Sequence, residues 1–539
     1  MKKKKFLMIL IPILLCVTLA GWFAVTHVWL NGWFISVSDT EVTLKGDDLP
    51  DVKKLQRFTD LQLLDARLVS VDARQYEQLQ QVLPDCAILW QVPALGGYFE
   101  NTSTRVTAAS VSEADISAMK YFESLEIVDA TACTDLDAIM ALKSAYPDVT
   151  VLYHVPLDEM ELDYETEELT FGGADATELM AAIPYLTKLQ KIDATDCPDY
   201  ETLTQIRMNY PELELTYNIP AGGDAWPYDS VKLTLNDMDG ETLSNILPHF
   251  SSLESITLTG TAPDNDTMYE LMCAYPEIVF SWEFEVCGVS TSSLATELIL
   301  SQIPMESVEE VENSLKYFYH LQRVEMCQCG ISNEEMDALG KRNPQIRFVW
   351  SMPFGTGYLR TDATSFIGRT YGYAFDYPCT DNETNQLKYC VDMVCLDLGH
   401  MRMKDLSFLA YMPNLQYLIL ADTQATDYSV VGQLTELVYL ELFNSTFTDT
   451  ELLLNLTKLE DLNISWVKLK HPQLLKEMTW LKRLWATRVG LTDSENRDLT
   501  EALPNTEVFL HGQHPTDGGW RKGQHYYKMR DLLGMEYME

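Results

Sequence analysis

From Leu415 to Val489 one arrangement of apolar positions recurs four times without gaps. The copies are Leu415-Gln-Tyr-Leu418-Ile-Leu420, Leu437-Val-Tyr-Leu440-Glu-Leu442, Leu459-Glu-Asp-Leu462-Asn-Ile464 and Leu481-Lys-Arg-Leu484-Trp-Ala486, and their first leucines lie 22 residues apart. In an extended segment, positions 1, 4 and 6 of this pattern point into one core, while 2, 3, 5 and 7 stay on the strand side. One repeat cannot bury its leucines alone, but a stack of repeats can.

A longer repeat precedes this one. Pro84, Pro147, Pro211, Pro276 and Pro344 lie 63, 64, 65 and 68 residues apart. Each is followed by a strand-like alternation ending six residues on in an aromatic: Trp90, Tyr153, Tyr217, Trp282 and Trp350. Before each proline lies a helical spacing of apolar residues, such as Tyr76 to Leu83. Upstream again come Leu61-x-x-Leu64-x-Ala66 and its counterparts beginning at Leu125, Leu189, Leu253 and Leu321. A third strand opens each unit, near Val42–Leu44 in the first. Three strands in about 63 residues is about 21 residues per strand, so the unit reads as a triplet of the 22-residue coil. Two of the three coils are expected to return by helices and the third by a polar loop such as Gly96–Arg105. Some 21 strands at ~4.8 Å each predict a solenoid on the order of 100 Å long. The aromatics after the prolines share a face with apolar neighbours, so they are expected to form a core spine.

The L-x-x-L-x-L pattern with a 22-residue period resembles the leucine-rich repeat, as in internalin-type bacterial surface proteins. The resemblance covers most of residues 38–512. It implies an α/β fold: a leucine-rich-repeat solenoid with a curved parallel β-sheet and helices or loops on the opposite side. It also implies a recognition surface rather than catalysis, with an extracellular protein or glycan as ligand. Cys133, Cys197 and Cys329 fall eight residues after the first leucine of their strands, the position where the repeat consensus places Asn or Cys to satisfy turn backbone; Thr261, Thr423 and Ser445 hold the same slot.

The N-terminus adds a membrane element. Lys2–Lys5 precede an uncharged apolar run from Phe6 to Val25, long enough to cross a bilayer as one transmembrane helix. Trp22, Trp29 and Trp33 follow at its outer end like an interfacial belt. An uncleaved signal anchor, with the rest of the chain outside the cell, is preferred to a secreted form cleaved after Thr18-Leu19-Ala20. The division is then 1–37 as membrane segment, 38–356 as five triplets, 357–392 as a Tyr-rich insert, 393–512 as regular repeats, and 513–539 as a C-terminal cap or tail.

Charge narrows the partners. The chain has 80 acidic against 39 basic residues, a net charge of −41. Such a surface repels phosphate backbones, which excludes nucleic acid as a partner class. No Walker loop, G-x-S-x-G or H-E-x-x-H occurs, so no enzyme class is indicated and no cofactor is expected. Asp65, Asp129 and Asp193 recur roughly 14 Å apart, too wide for paired carboxylate catalysis. His511, His514 and His525 lack the spacing of a known zinc class and are assigned to the cap. Cys379 and Cys390 flank the polar insert and are candidates for a disulfide outside the cell.

The strand side of the four regular repeats carries Tyr417, Ile419, Tyr439, Phe443, Arg483 and Trp485, with Glu441 and Asp461 among them. Large apolar groups on a face expected to be open point to a contact surface. Either a partner covers them, or the insert or the tail folds over them. The partner site is the preferred reading. The alternative function is a cell-envelope structural or glycan-binding protein, with the insert and the Trp520 tail as contacts.

Overall fold

Each L-x-x-L-x-Φ segment (Φ, apolar) forms a strand of only a few residues, because the chain must turn away as soon as its inward side chains are placed. The computed structural model describes residues 15–368 and 380–536. They separate into two compact units, 1–231 with 243–253, and 232–242 with 254–539.

The first unit begins with helical residues 15–26 and an antiparallel hairpin, His27–Leu30 with Trp33–Ser36. Lys2–Lys5 and the first part of the apolar run lie outside the described residues. Among the described residues no helix is long and apolar enough to cross a membrane. Three sets of three parallel strands follow: Glu41–Thr43, Leu63–Asp65 and Ala87–Leu89; Arg105–Thr107, Ile127–Asp129 and Thr150–Leu152; Glu168–Thr170, Lys191–Ala194 and Glu214–Ala221.

The second unit holds two more such sets: Lys232–Asn236, Ser255–Thr259 and Val279–Ser281; then Glu297–Ile299, Arg323–Glu325 and Arg347–Val349. It continues into a seven-stranded parallel sheet: β1 Ser365–Ile367, β2 Cys395–Asp397, β3 Tyr417–Ile419, β4 Tyr439–Glu441, β5 Asp461–Asn463, β6 Arg483–Trp485 and β7 Glu507–Phe509. Leu418, Leu440, Leu462 and Leu484 stand opposite one another in register, so the 22-residue period is the strand register itself. All four are fully buried. The chain is therefore built of leucine-rich repeats.

Within the seven-stranded sheet the return changes with coil length. The 22-residue coils between β2 and β6 return through 3₁₀ helices, Ser407–Tyr411, Ser429–Gln433, Thr450–Asn455 and Pro472–Glu477. Arg483 pairs with Glu507, two residues further on, and there the return is a ten-residue α-helix, α1 Asp493–Ala502. Ten-residue helices also serve the second coil of every triplet, as at Leu136–Ala145 and Asn265–Ala274. Asp72, Asp135, Asp199, Asp264 and Ser332 cap these helices by accepting from a backbone N–H of the first turn.

The third coil of each triplet departs from the expected polar loop. It is a β-hairpin: Gln91–Ala94 with Gly97–Glu100, and equivalents at Val155–Leu162, Ile219–Trp226, Phe284–Thr291 and Met352–Leu359. The turns Leu95-Gly96, Gly222-Gly223 and Cys287-Gly288 have both residues at positive φ, the geometry that matches strand twist in a two-residue turn. Among the described residues no strand pairing joins one triplet to the next, so the continuous parallel sheet is confined to β1–β7. Residues 357–360 belong to the fifth hairpin and 365–367 to β1, so the expected insert is shorter than 357–392; its Tyr-rich stretch and Cys379 lie outside the described residues.

The aromatic spine is present: Trp90, Tyr153, Tyr217, Trp282 and Trp350 are buried. Eleven residues beyond each, Asn101, Tyr164, Tyr228, Ser293 and Thr361 donate a backbone N–H to its carbonyl and close the hairpin. Cys133 and Cys329 donate their thiols to the carbonyls of Ala108 and Leu300, 3.4 and 3.2 Å away, the backbone role that the repeat consensus implies. Thr423, in the same slot, donates its hydroxyl to the Leu420 carbonyl of its own coil at 2.6 Å. Asp65, Asp129 and Asp193 are tied up locally, by Arg67, by Arg105 with Thr131, and by Thr195.

Candidate functional site

The strand side of β2–β6 carries Cys395, Asp397, Tyr417, Ile419, Tyr439, Glu441, Asp461, Asn463, Arg483 and Trp485. Against the expectation of an open face, it is covered. Tyr417, Ile419, Tyr439 and Trp485 are buried, Phe443 is half-buried, and the Arg483 side chain is 13% exposed. Their cover is the C-terminal segment, which crosses the face and forms α2 Gln524–Leu532. Trp520, Tyr526 and Met529 join the strand-face aromatics in one apolar cluster, with Leu532 and Leu533 at its margin. The physical reason is the composition of the face. Two tyrosines, an isoleucine and a tryptophan make an apolar patch that the chain's own amphipathic tail can bury.

Specific polar contacts fix the cover. The Trp520 indole stacks on Tyr439 with centroids 5.3 Å apart, and its Nε1–H donates to Glu441 Oε1 at 2.8 Å. The Tyr439 hydroxyl donates to the same oxygen. Glu441 is wholly enclosed, and burial raises its carboxyl above the ordinary range, opposed by these two donors. The Arg483 guanidinium sits over both Trp485 and Trp520, 4.6 and 4.9 Å from their centroids, while the two rings touch each other at 5.3 Å. It donates to Asp461 Oδ2 at 3.1 Å and to the carbonyls of Gly519 and Trp520 at 3.0 Å. Gly523 fits against this guanidinium only because it lacks a β-carbon, which would collide with Nη1. Trp485 Nε1 donates to the Asp517 carbonyl at 2.7 Å, and Asn463 Nδ2 to that of Pro515 at 3.0 Å. His525 pairs with Glu460 at 2.7 Å, and Cys395 Sγ reaches the Met529 carbonyl at 3.9 Å.

Among the described residues, the bonds given above between tail and repeats each use a side chain. Among the described residues no backbone–backbone hydrogen bond joins 513–536 to β1–β7. The tail is docked on the sheet and adds no strand to it.

The structure brings the six residues expected as contacts together beneath the tail, with Glu441 and Asp461, named beside them in the sequence, and Asn463 as anchors. The sequence did not single out Trp520, Tyr526 and Met529 as their partners, although Tyr526, Met529, Leu532 and Leu533 form one helical stripe of an amphipathic segment. Of the tail histidines, His525 is held by Glu460, while the His514 backbone N–H donates to Asp517. Among the described residues no group of three His, Cys, Asp or Glu side chains is placed to hold a metal ion.

No family model and no curated protein sequence matches the chain. Solved structures do. An internalin (InlF) from Listeria monocytogenes is 16% identical over 82% of this chain and 96% of its own, with a TM-score of 0.24. A leucine-rich-repeat protein from Leptospira interrogans is 12% identical over 87% and 95%, with a TM-score of 0.23. The TLR13–ssRNA13 complex gives 13% over 87% and 55%, with a TM-score of 0.22. Superposition at this level carries no argument about function, and the repeat assignment stands on the strand register.

Proposed function

We propose that this chain is an extracytoplasmic, non-catalytic binding protein that takes a protein partner on the strand face of its regular repeats. Tyr417, Ile419, Tyr439, Phe443, Arg483 and Trp485 are the contact residues, and 513–536 is a tethered cover that leaves before the partner enters. The observation that carries this reading is the cover's attachment through side chains alone. It can come away as a unit without breaking any strand pairing, as locally unfolding segments do. The burial of Glu441 and Asp461 beneath it supports the same reading. Buried charge contributes little to stability that well-packed apolar groups would not, and its best-attested use is in setting register or a switch.

Once uncovered, the face offers two tyrosines, a tryptophan and an arginine, residue types rich in binding energy, interleaved with carboxylates. Such a face fits a segment with aromatic and cationic side chains, as Trp520-Arg521-Lys522 has. A net charge of −41 disfavours an RNA ligand like that of the TLR13 complex. Trp520, expected as a glycan contact, is buried against Tyr439 while the cover is down. Lys2–Lys5 and the Phe6–Val25 run favour an N-terminal membrane tether with the repeats outside the cell, or secretion if the run is cleaved.

A labelled peptide of residues 513–536 is a defined probe. Full-length Trp520→Ala/Tyr526→Ala protein, with its own cover weakened, should bind this peptide saturably, and adding Tyr439→Ala and Trp485→Ala should abolish binding. An uncovered chain that ignores the peptide would sink the proposal.

A further inference from the structure

A second apolar surface lies at the other end of the chain, in the first unit. In the hairpin His27–Leu30/Trp33–Ser36, Val28 and Leu30 point inward and are buried. The outward positions are aromatic: Trp29 is 48% exposed, Trp33 58% and Phe34 56%. They form one patch with the end of the preceding helix, where Trp22 is 61% exposed. Phe34 packs edge-on against Phe23 and Trp29, with centroids 4.9 and 4.6 Å away, and Phe23 stacks on His27 at 4.1 Å. Monomeric proteins seldom leave so many large aromatics together in water.

The patch is held rigidly. Arg57 donates to the carbonyls of Ala24 and Val25 at 2.6 and 2.9 Å, which satisfies orphan groups at the helix end and places a cation there. Asn31 at the hairpin turn donates to the Asp48 carbonyl at 2.6 Å. Lys45 Nζ sits 4.9 Å from the centre of the Trp33 ring. Helix end, hairpin and first repeat are thus one body. Leu15, Val17, Leu19 and Val25 on the helix are exposed as well, so the apolar surface runs on from the patch along the helix.

We propose that this hairpin is a lipid-interface platform: Trp29, Trp33 and Phe34 lie in the headgroup region of a phospholipid bilayer and seat the first repeat directly on the membrane. Tryptophan suits that depth, with an apolar body and an N–H for the wet side. The adjoining stretch 45–57 carries both signs, Lys45, Lys53, Lys54 and Arg57 against Asp47, Asp48 and Asp51, so aromatic insertion, not headgroup charge, drives the contact. Zwitterionic phosphatidylcholine is therefore a sufficient partner.

The test is tryptophan quenching of the full chain in phosphatidylcholine vesicles with brominated acyl chains. Of the eleven tryptophans, only Trp22, Trp29 and Trp33 lie on this surface. Trp29→Phe/Trp33→Phe keeps the aromatic surface and should remove about two thirds of the quenchable signal if interfacial tryptophans quench alike. Tyr98→Trp, an exposed site on another hairpin of the same unit, should add none. Unchanged quenching in the double variant, added quenching in Tyr98→Trp, or no association of the full chain with vesicles would each overturn the proposal.

Discussion

Trp520 donates its indole N–H to the buried carboxylate of Glu441 at 2.8 Å, across 79 residues of chain. This bond pins the C-terminal segment to the middle strand of the regular repeats. Replacing Trp520 by Ala removes both the donor and a fully buried ring, and should weaken docking of the cover by about 3–5 kcal/mol. Trp520→Phe keeps most of the packing and should cost about 1–3 kcal/mol for the lost partner of a buried acceptor. Urea titration followed by the protection of residues 513–533 reads both effects.

Docking of the cover should depend on pH in a stated direction. Burial raises the Glu441 carboxyl above its ordinary 4.5 when the cover is down, so closing favours the protonated form. Its contribution is complete below that ordinary value and is lost as pH rises through the raised one. The cover should therefore loosen on going from acid towards neutral pH, and Glu441→Gln should flatten the profile. A profile unchanged by Glu441→Gln would refute this assignment.

The opposite sign holds at Glu325. Its hydrogen bonds to Arg360, 2.8 and 3.0 Å long, hold its carboxyl down to about 2 against burial. A lowered value contributes stability above the ordinary 4.5 that is lost as pH falls towards 2. Arg360→Met should shrink the acid-induced loss of stability between those values, measured by chemical denaturation across a pH series.

Thiol chemistry should separate surface from repeat. Cys16 and Cys273 are exposed, whereas Cys133, Cys197, Cys329 and Cys390 are buried, and burial pushes the Cys390 thiol up to about 12. Iodoacetamide at neutral pH should label Cys273 in the folded protein and reach the four buried thiols only on unfolding, while Cys16, within the proposed membrane run, is left out of the comparison. Cys329→Ser should be tolerated, because Thr423 serves the same turn position with a hydroxyl.

The regular repeats were legible in the sequence because their register is their period: Leu418 opposes Leu440 for the same reason that the two align. The triplets were legible through their prolines and aromatics. The hairpins were not, because their turn pairs differ in every copy, from Leu95-Gly96 to Cys287-Gly288, and only the positive φ of the first turn residue is shared. The strand face was legible as apolar, but its occupant was not. Pattern alone cannot tell Trp520 of the same chain from a tryptophan of another, since both would present the same surface to Tyr439. Glu441 was legible as part of the face, but its burial was not, because that depends on a segment 79 residues away.

Amide hydrogen exchange on the full chain tests the cover most directly. A displaceable segment should exchange through an opening of its own, so amides of 526–533 should show a lower opening free energy than those of Leu418, Leu440, Leu462 and Leu484. Trp520→Ala should lower the first value and leave the strand values in place. If tail and strands exchange together at one global free energy, and Trp520→Ala lowers both alike, the segment is an integral part of the fold and the face beneath it is core, not a binding site.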